Sequence, residues 1–453
     1  MKTIDPTSGQ VVAEYREHDA AEIERRLSRT AEAQAAWAES DIGDRAEVLR
    51  RVAQSLREDT ERHAQLVTTE MGKPISQSRG EVQKCAWVLE HYAATAEADL
   101  RPVRGDTDFE SWIRFDPLGV VLAIMPWNFP YWQVFRFAAP NLVAGNAALL
   151  KHAENTTGCG LAIEELFAKA GLPEGVLSTL VVPVDAVPPI IGDRRVAAVT
   201  LTGSARAGSA VAAEAGRHLK KTVLELGGSD PYLVLEDADL DRAVATCAGS
   251  RLLNSGQSCI AAKRFIVVDA AREAFEAKLV ERFRAVTMGD PREDGVEIGP
   301  LARRDLRDEV HRQVEASVAA GARLHHGGAI PDRPGWFYPA TVLTGVEPGM
   351  AAFDEEIFGP VAAVIAAKDE DEAVTLANRS EYGLGGAVFT ADRDRAMRVA
   401  ARLHTGAVAV DDFVKSDPRL PFGGVKKSGY GRELSTFGLH ELVNVKAVTF
   451  RPE

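Results

Sequence analysis

Between residues 19 and 99, apolar side chains recur every three or four positions, as at Val48, Val52 and Leu56, among mixed acidic and basic residues. That spacing predicts amphipathic helices over 19–40, 44–71 and 74–100 with solvated outer faces. Gly72-Lys73-Pro74 is a clean break, its proline placed to open the next helix. After residue 111 the pattern changes. Trp112-Ile113-Arg114-Phe115 and Val120-Val121-Leu122-Ala123-Ile124 are strand-like runs on either side of a turn, Asp116-Pro117-Leu118-Gly119. Strands then alternate with helices: 147–151 strand, 156–170 helix, 196–202 strand, 205–219 helix, 222–226 strand. A second series follows Gly228, with helices over 240–253, 272–287, 301–320, 370–380 and 393–403 and strands over 265–268, 361–366, 386–390 and 407–410. Alternation of this kind predicts an α/β protein of mostly parallel sheets with helices on their faces. Two successive series predict two domains, divided near Gly227-Gly228, with a cleft between them.

Composition narrows the class. The chain has 453 residues, 45% hydrophobic and 26% charged, enough for more than one domain and a sizeable core. Its net charge of −13 argues against a nucleic-acid partner, although a local arginine could still receive an anionic substrate. Four cysteines, Cys85, Cys159, Cys247 and Cys259, form no CxxC pair and no metal-like spacing with histidine, so no metal site is expected. Too few for a disulfide framework, they fit a reducing cytoplasm. The first ten residues lack a secretory pattern, and no apolar run approaches the ~18 residues of a membrane helix. A soluble cytoplasmic protein is the expectation.

Two stretches carry candidate chemistry. Leu224-Glu225-Leu226-Gly227-Gly228 sets a carboxylate in an apolar run, where desolvation should raise its pKa toward that of a general base at neutral pH. Asn254-Ser255-Gly256-Gln257-Ser258-Cys259 presents a soft nucleophile, effective as the thiolate, beside a glycine that permits a sharp bend. The competing reading is a gap-filling cysteine and a solvated strand-end glutamate. Elsewhere, strand 196–202 runs into Gly203-Ser204-Ala205-Arg206-Ala207-Gly208 and a helix, an arrangement that can hold a phosphate on free N–H groups and the Ser204 hydroxyl. An ordinary βα turn with a capping serine is the alternative. Lys151 and Glu154 lie just beyond a buried strand, where α/β sheets bind ligands.

The Glu225-Leu226-Gly227-Gly228 and Gly256-Gln257-Ser258-Cys259 runs, 34 residues apart from Glu to Cys, resemble the two signatures of the aldehyde dehydrogenase superfamily. The resemblance extends over nearly the whole chain. It implies a Rossmann-like NAD-binding domain (1–99 and 119–227), a catalytic α/β domain (228–438) and a small β oligomerisation element (100–118 and 439–453) that makes homodimers or homotetramers. It assigns Cys259 as nucleophile, Glu225 as the base that activates water, and Asn128, with the Cys259 N–H, as the oxyanion donor. It places Trp127, Lys151, Glu154, Gly203, Ser204, Gly208, Leu226, Glu356 and Phe358 at the cofactor. Lys151 and Glu154 would meet the adenosine ribose, Glu356 the nicotinamide ribose. An acid at 154 accepts from a 2′-OH and repels a 2′-phosphate, which favours NAD while leaving NADP possible. His152 is read as structural.

The substrate side is lined, on this resemblance, by Phe129, Trp132, Arg136 and Phe422. The runs 125–136 and 220–231, with Lys426-Lys427-Ser428-Gly429, are most similar to bacterial succinate-semialdehyde dehydrogenases, in which an arginine matching Arg136 grips the substrate carboxylate. A salt bridge across packed helices is the alternative for Arg136. A second arginine carried by some of those relatives is Leu253 here; Arg251, Arg419 and Lys415 lie nearby in sequence. The expected activity is oxidation of an aldehyde, succinate semialdehyde first, with NAD(P) through a cysteine thioester. Other small or aromatic aldehydes are the alternative. Transfer of the acyl group to CoA is disfavoured by Glu225, which relatives of that type generally lack.

Overall fold

Val120–Met125, Ala147–His152 and Val196–Thr202 are buried along nearly their whole length. Strands covered on both faces read as continuous apolar runs, and they form the middle of a parallel sheet. In the computed structural model, which describes residues 1–451, this sheet has six strands, ordered Gly429–Tyr430, Lys221–Glu225, Val196–Thr202, Val120–Met125, Ala147–His152 and Leu177–Thr179. All neighbours are parallel except the first pair. A second sheet of seven strands, again parallel but for one edge pair, centres on Val361–Ala367, Ala262–Val268 and Asp230–Val234. Each sheet has its own apolar core.

The helical opening of the chain packs on the first sheet, but the expected helix over 44–71 is two helices, Ile42–Glu58 and Thr60–Met71. The break falls at Asp59-Thr60, where the Thr60 hydroxyl donates to the Leu56 carbonyl. Short polar side chains compete for backbone partners in this way. Asp230–Val234, a central strand of the second sheet, is missing from the expected series. Pro231 sits at a register shift, the one place a buried strand tolerates proline. The hairpin Lys2–Ile4/Val11–Glu14 and the strand Leu177–Thr179 are also additions, each too short for periodicity to reveal. The expected helix over 301–320 begins later, at Arg304.

Segment 228–438 does not stay with the second sheet. Gly429–Tyr430 returns to pair antiparallel with Leu224 and Glu225, and the Leu226 N–H donates to the Ser428 carbonyl at 3.0 Å. A third sheet joins Val443–Thr449 to Ser111–Pro117 in unbroken register, with Val103–Arg104 outside. It leaves Val103, Trp112, Ile113 and Val445 exposed. Pro452 and Glu453, the end of the expected oligomerisation tail, lie outside the described residues. Among the described residues no helix is long and apolar enough to cross a membrane.

One local feature departs from regular geometry. Asn254, Ser255 and Gly256 all have positive φ, at 55°, 53° and 78°. Such backbone costs energy at non-glycine positions and persists only where its surroundings fix it. Here they do: Asn254 Nδ2 donates to the Asn128 carbonyl at 2.7 Å, the Asn254 N–H donates to Gln77, and Ser255 exchanges hydrogen bonds with Gly299. A Cβ on Gly256 would stand 2.2 Å from the Gly359 carbonyl oxygen. Gly256→Ala is therefore expected to lower the apparent Tm by at least about 4 °C, from left-handed strain and forced backbone movement together. An unchanged melting curve would show that the turn is not constrained as described.

Candidate active site

The turn at 254–256 delivers Cys259 to the gap between the two sheets. Cys259 is half-buried, whereas Cys85, Cys159 and Cys247 are fully buried. The other signature stretch meets it there: a Cβ on Gly228 would lie 2.6 Å from the Cys259 carbonyl oxygen. Two cavities open on the same sulfur-bearing residue. One, of about 440 Å³, is lined by Trp127, Asn128, Lys151, Gly203, Ser204, Leu226, Glu356 and Phe358. The other, of about 260 Å³, is lined by Phe129, Trp132, Arg136 and Phe422. Cys259 is the only residue common to both linings.

The larger cavity lies at the carboxyl ends of the first sheet's strands, where open α/β sheets take ligands. Ser204 caps the helix Ala205–Arg217, its hydroxyl accepting from the Ala207 N–H. The remaining N–H groups of that first turn and the helix dipole make an anion site. Gly208, one turn on, is a packing position: its missing Cβ leaves room for the Leu226 side chain, which would be 2.6 Å away. Glu356 accepts from the Gly228 N–H at 3.0 Å and pairs with Lys263 at 3.2 Å. Phe358 meets Trp127 edge-on, with centroids 5.7 Å apart. Lys151 lines this cavity and an adjoining one, whose wall includes Glu154, Lys2, Arg303 and Arg304. Glu154 thus stands one step removed from the main cavity and among cations. His152 accepts the Ala153 N–H on Nδ1 and pairs Nε2 with the Pro130 carbonyl, tying the strand end to the loop after Asn128.

Around Cys259, burial dominates the electrostatics. It pushes the Cys259 thiol up to about 12, against the opposing pull of the Lys263 and Arg136 cations. Lys263 was not among the residues singled out from sequence. Its Nζ donates to the Ser258 and Cys259 carbonyls at 2.8 Å each, holding the backbone at Cys259 and placing a positive charge beside it. A lysine within the apolar run Ala261-Ala262-Lys263-Arg264-Phe265 was the available signal, since a charge there must find partners. Asn128 is buried and donates from Nδ2 to the Gln257 carbonyl at 3.2 Å, which sets its amide against the cysteine loop.

Glu225 is 2% exposed, and neither carboxylate oxygen has a hydrogen-bond partner. Desolvation holds its pKa well above the usual carboxylate range, while the Arg136 guanidinium pulls it back down. Its charge is felt at the Cys259 thiol. Arg136 itself lines the smaller cavity, but it is ion-paired with Glu433 and donates to the Thr202 hydroxyl at 3.3 Å. Its guanidinium also stacks 4.7 Å from the centre of the Phe422 ring. The salt-bridge alternative raised for Arg136 is thus present. Of the other nearby cations, Arg251 is fully buried and bonds the Gly256 carbonyl, and Arg419 pairs with Asp417 at 2.6 Å. Lys415 lines the cavity and pairs with Asp412, also at 2.6 Å.

Comparison with known proteins agrees with this geometry over the full chain. The aldehyde dehydrogenase family model matches residues 1–448. The succinate semialdehyde dehydrogenase [NAD(P)+] Sad of Escherichia coli is 49% identical over 98% of this chain and 97% of its own. The succinate-semialdehyde dehydrogenase [NADP(+)] of Deinococcus radiodurans is 46% identical over 99% of this chain and 94% of its own. Among solved structures, succinic semialdehyde dehydrogenase from Streptococcus pyogenes, in complex with NADP+, superposes with a TM-score of 0.98 at 37% identity over the whole of both chains. With Cys259 shared by two cavities and a match to the family model over residues 1–448, the chain belongs to the aldehyde dehydrogenase family.

Proposed function

We propose that the protein oxidises short aldehydes bearing a distal carboxylate, succinate semialdehyde foremost, to the corresponding acids, with either NAD or NADP. The observation that carries the reading is the position of Cys259 as the one residue lining both cavities. An aldehyde in the smaller cavity and a dinucleotide in the larger one would meet only there. The larger cavity fits such a cofactor, with a helix N-terminus for phosphate at Ser204, Glu356 for a ribose and the Trp127–Phe358 pair as an aromatic wall. A bound nicotinamide supplies the hydride acceptor.

The chain's own groups do the rest. Cys259 as thiolate adds to the aldehyde carbon, and Asn128 donates to the oxygen on which negative charge develops. One such donor is typically worth ~2.7–4 kcal/mol in the transition state. After oxidation Cys259 holds the acyl group as a thioester. Glu225 takes a proton from water, the hydroxide adds to the thioester carbon, and the cysteine sulfur leaves as thiolate. The apolar setting of Glu225 raises its basicity, and Arg136 keeps its ionised form accessible. The walls formed by Phe129, Trp132 and Phe422 suit a short carbon chain. The cations lining that cavity suit an anionic tail, in keeping with the substrate named for the E. coli and D. radiodurans relatives.

Glu154 alone would select NAD, but Lys151, which pairs with no carboxylate among the described residues, lines the same cavity and can receive a 2′-phosphate, whereas Lys2, Arg303 and Arg304 there are paired with Glu14, Asp305 and Asp308. Use of both cofactors follows. The exposed apolar side chains of the third sheet support self-association through the arm formed by residues 103–117 and 443–449. A homo-oligomer is the assembly proposed, in the cytoplasm.

Two measurements test this. With succinate semialdehyde, butyraldehyde and benzaldehyde, each with NAD and with NADP, kcat/KM is expected to be at least about tenfold higher for succinate semialdehyde, from one charged interaction with its carboxylate. Both cofactors should be reduced. Equal rates for the three aldehydes, or product release that requires CoA, would contradict the reading. Iodoacetamide should label Cys259 ahead of the three buried cysteines, and Cys259→Ala should abolish turnover. Because burial raises the thiol's pKa, the thiolate fraction and the labelling rate of the free enzyme should climb from pH 7 to pH 10 without a plateau. A plateau below pH 8 would mean the thiolate is stabilised in a way this geometry does not provide.

A further inference from the structure

The smaller cavity has three lining cations, and two are already neutralised. Arg136 is paired with Glu433 and Lys415 with Asp412. The third is Lys84, on the helix Ile75–Asp99. Its Nζ donates to the Ser416 hydroxyl at 2.8 Å and lies 4.1 Å from the centre of the Trp132 ring. Among the described residues no carboxylate stands within salt-bridge distance of it. Nearby acids are committed elsewhere. Glu81, one turn earlier on the same helix, accepts the Tyr131 and Trp132 N–H groups at 2.9 Å and pairs with the buried Lys73. Asp417 is held by Arg419 at 2.6 Å.

A half-buried ammonium with one hydroxyl partner has donors to spare, and Glu81 and Asp417, the acids that favour its charge, act on it only from beyond contact distance. Burial lowers the Lys84 pKa to about 8, with Arg136 adding to the effect, so the group still carries its proton at neutral pH. The aromatic face beneath it favours a cation and cannot neutralise one. Phe129, Trp132 and Phe422 complete an apolar passage from this corner to Cys259. An anion arriving there gains an unpaired partner, whereas at Arg136 it must share one with Glu433.

We infer that Lys84, with the Ser416 hydroxyl beside it, is the specificity-determining group that receives the distal carboxylate of a short ω-oxo acid while its aldehyde end lies at Cys259. The inference rests on the substrate reading above and moves the carboxylate contact from Arg136 to Lys84. Arg136 then acts chiefly on Glu433 and Glu225.

The test compares wild type, Lys84→Met and Lys84→Arg on succinate semialdehyde and butyraldehyde. Lys84→Met keeps the length and apolar stem over Trp132 and removes the charge. It is expected to raise KM for succinate semialdehyde about tenfold or more, to leave kcat within about threefold, and to leave kcat/KM for butyraldehyde within about twofold. Lys84→Arg should restore most of the loss. Arg136→Leu, which strips Glu433 of its partner, should impair both aldehydes alike. Turnover of butyraldehyde reports that each variant is folded. If Lys84→Met harms both aldehydes equally or neither, the inference is overturned while the substrate reading stands on the wild-type preference. A wild type that does not prefer succinate semialdehyde overturns the substrate reading, and the assignment of Lys84 with it.

Discussion

The architecture depends on one short stretch of left-handed backbone, Asn254-Ser255-Gly256, locked by buried hydrogen bonds to Asn128, Gln77 and Gly299. Each of those partners comes from a different part of the chain. The loop that carries Asn128, a helix of the N-terminal bundle and a connection before Arg304–Ala319 all converge on it. Strain of this kind persists only where the surroundings over-determine it. The result is a cysteine whose position is fixed by both halves of the molecule. The return of Gly429–Tyr430 to Leu224 and Glu225 does the same for the carboxylate. A Cβ at Gly429 would fall 2.0 Å from the Leu224 carbonyl oxygen, so glycine is what lets the two backbones approach.

Once these stretches are pinned, the chemistry is set by which charges are balanced and which are not. Glu225 has no hydrogen-bond donor, and only the charges of Arg136 and, more weakly, Arg432 offset its burial. Cys259 has its thiolate favoured by Lys263 from one side and Arg136 from the other, and disfavoured by everything apolar around it. Neither group is reactive by default. Nearby cations oppose the effect of burial at both groups without cancelling it.

Much of this was legible from the chain. The alternation of apolar strands and helices between 120 and 226 marks four of the six strands of the first sheet, because buried parallel strands leave a run of Val, Leu and Ala; Leu177–Thr179 and Gly429–Tyr430 are too short to show. The two signature stretches pointed to Cys259 and Glu225 because glycines flanked both. What was not legible had physical reasons. Pro231 disguised a central strand, since its place at a bulge can be seen only once its neighbour is known. Lys263 and Lys84 are not legible because a lone lysine reads as surface, and only tertiary packing shows one bonded to the Cys259 carbonyl and the other without an ion-pair partner among the described residues. Arg136 stands out in the sequence as a charge in an apolar helix, but sequence cannot choose between a substrate and Glu433 as its partner. The division of the chain at 228 missed that the glycine-rich segment near 429 crosses back.

The division of labour between sulfur and carboxylate is tested most directly by trapping the covalent intermediate. Glu225→Gln, incubated with NAD and succinate semialdehyde and digested for mass spectrometry, should show a succinyl group on the peptide containing Cys259, accompanied by a burst of NADH close to one equivalent per subunit. Normal steady-state turnover with no adduct, or an adduct on another residue, would contradict the account.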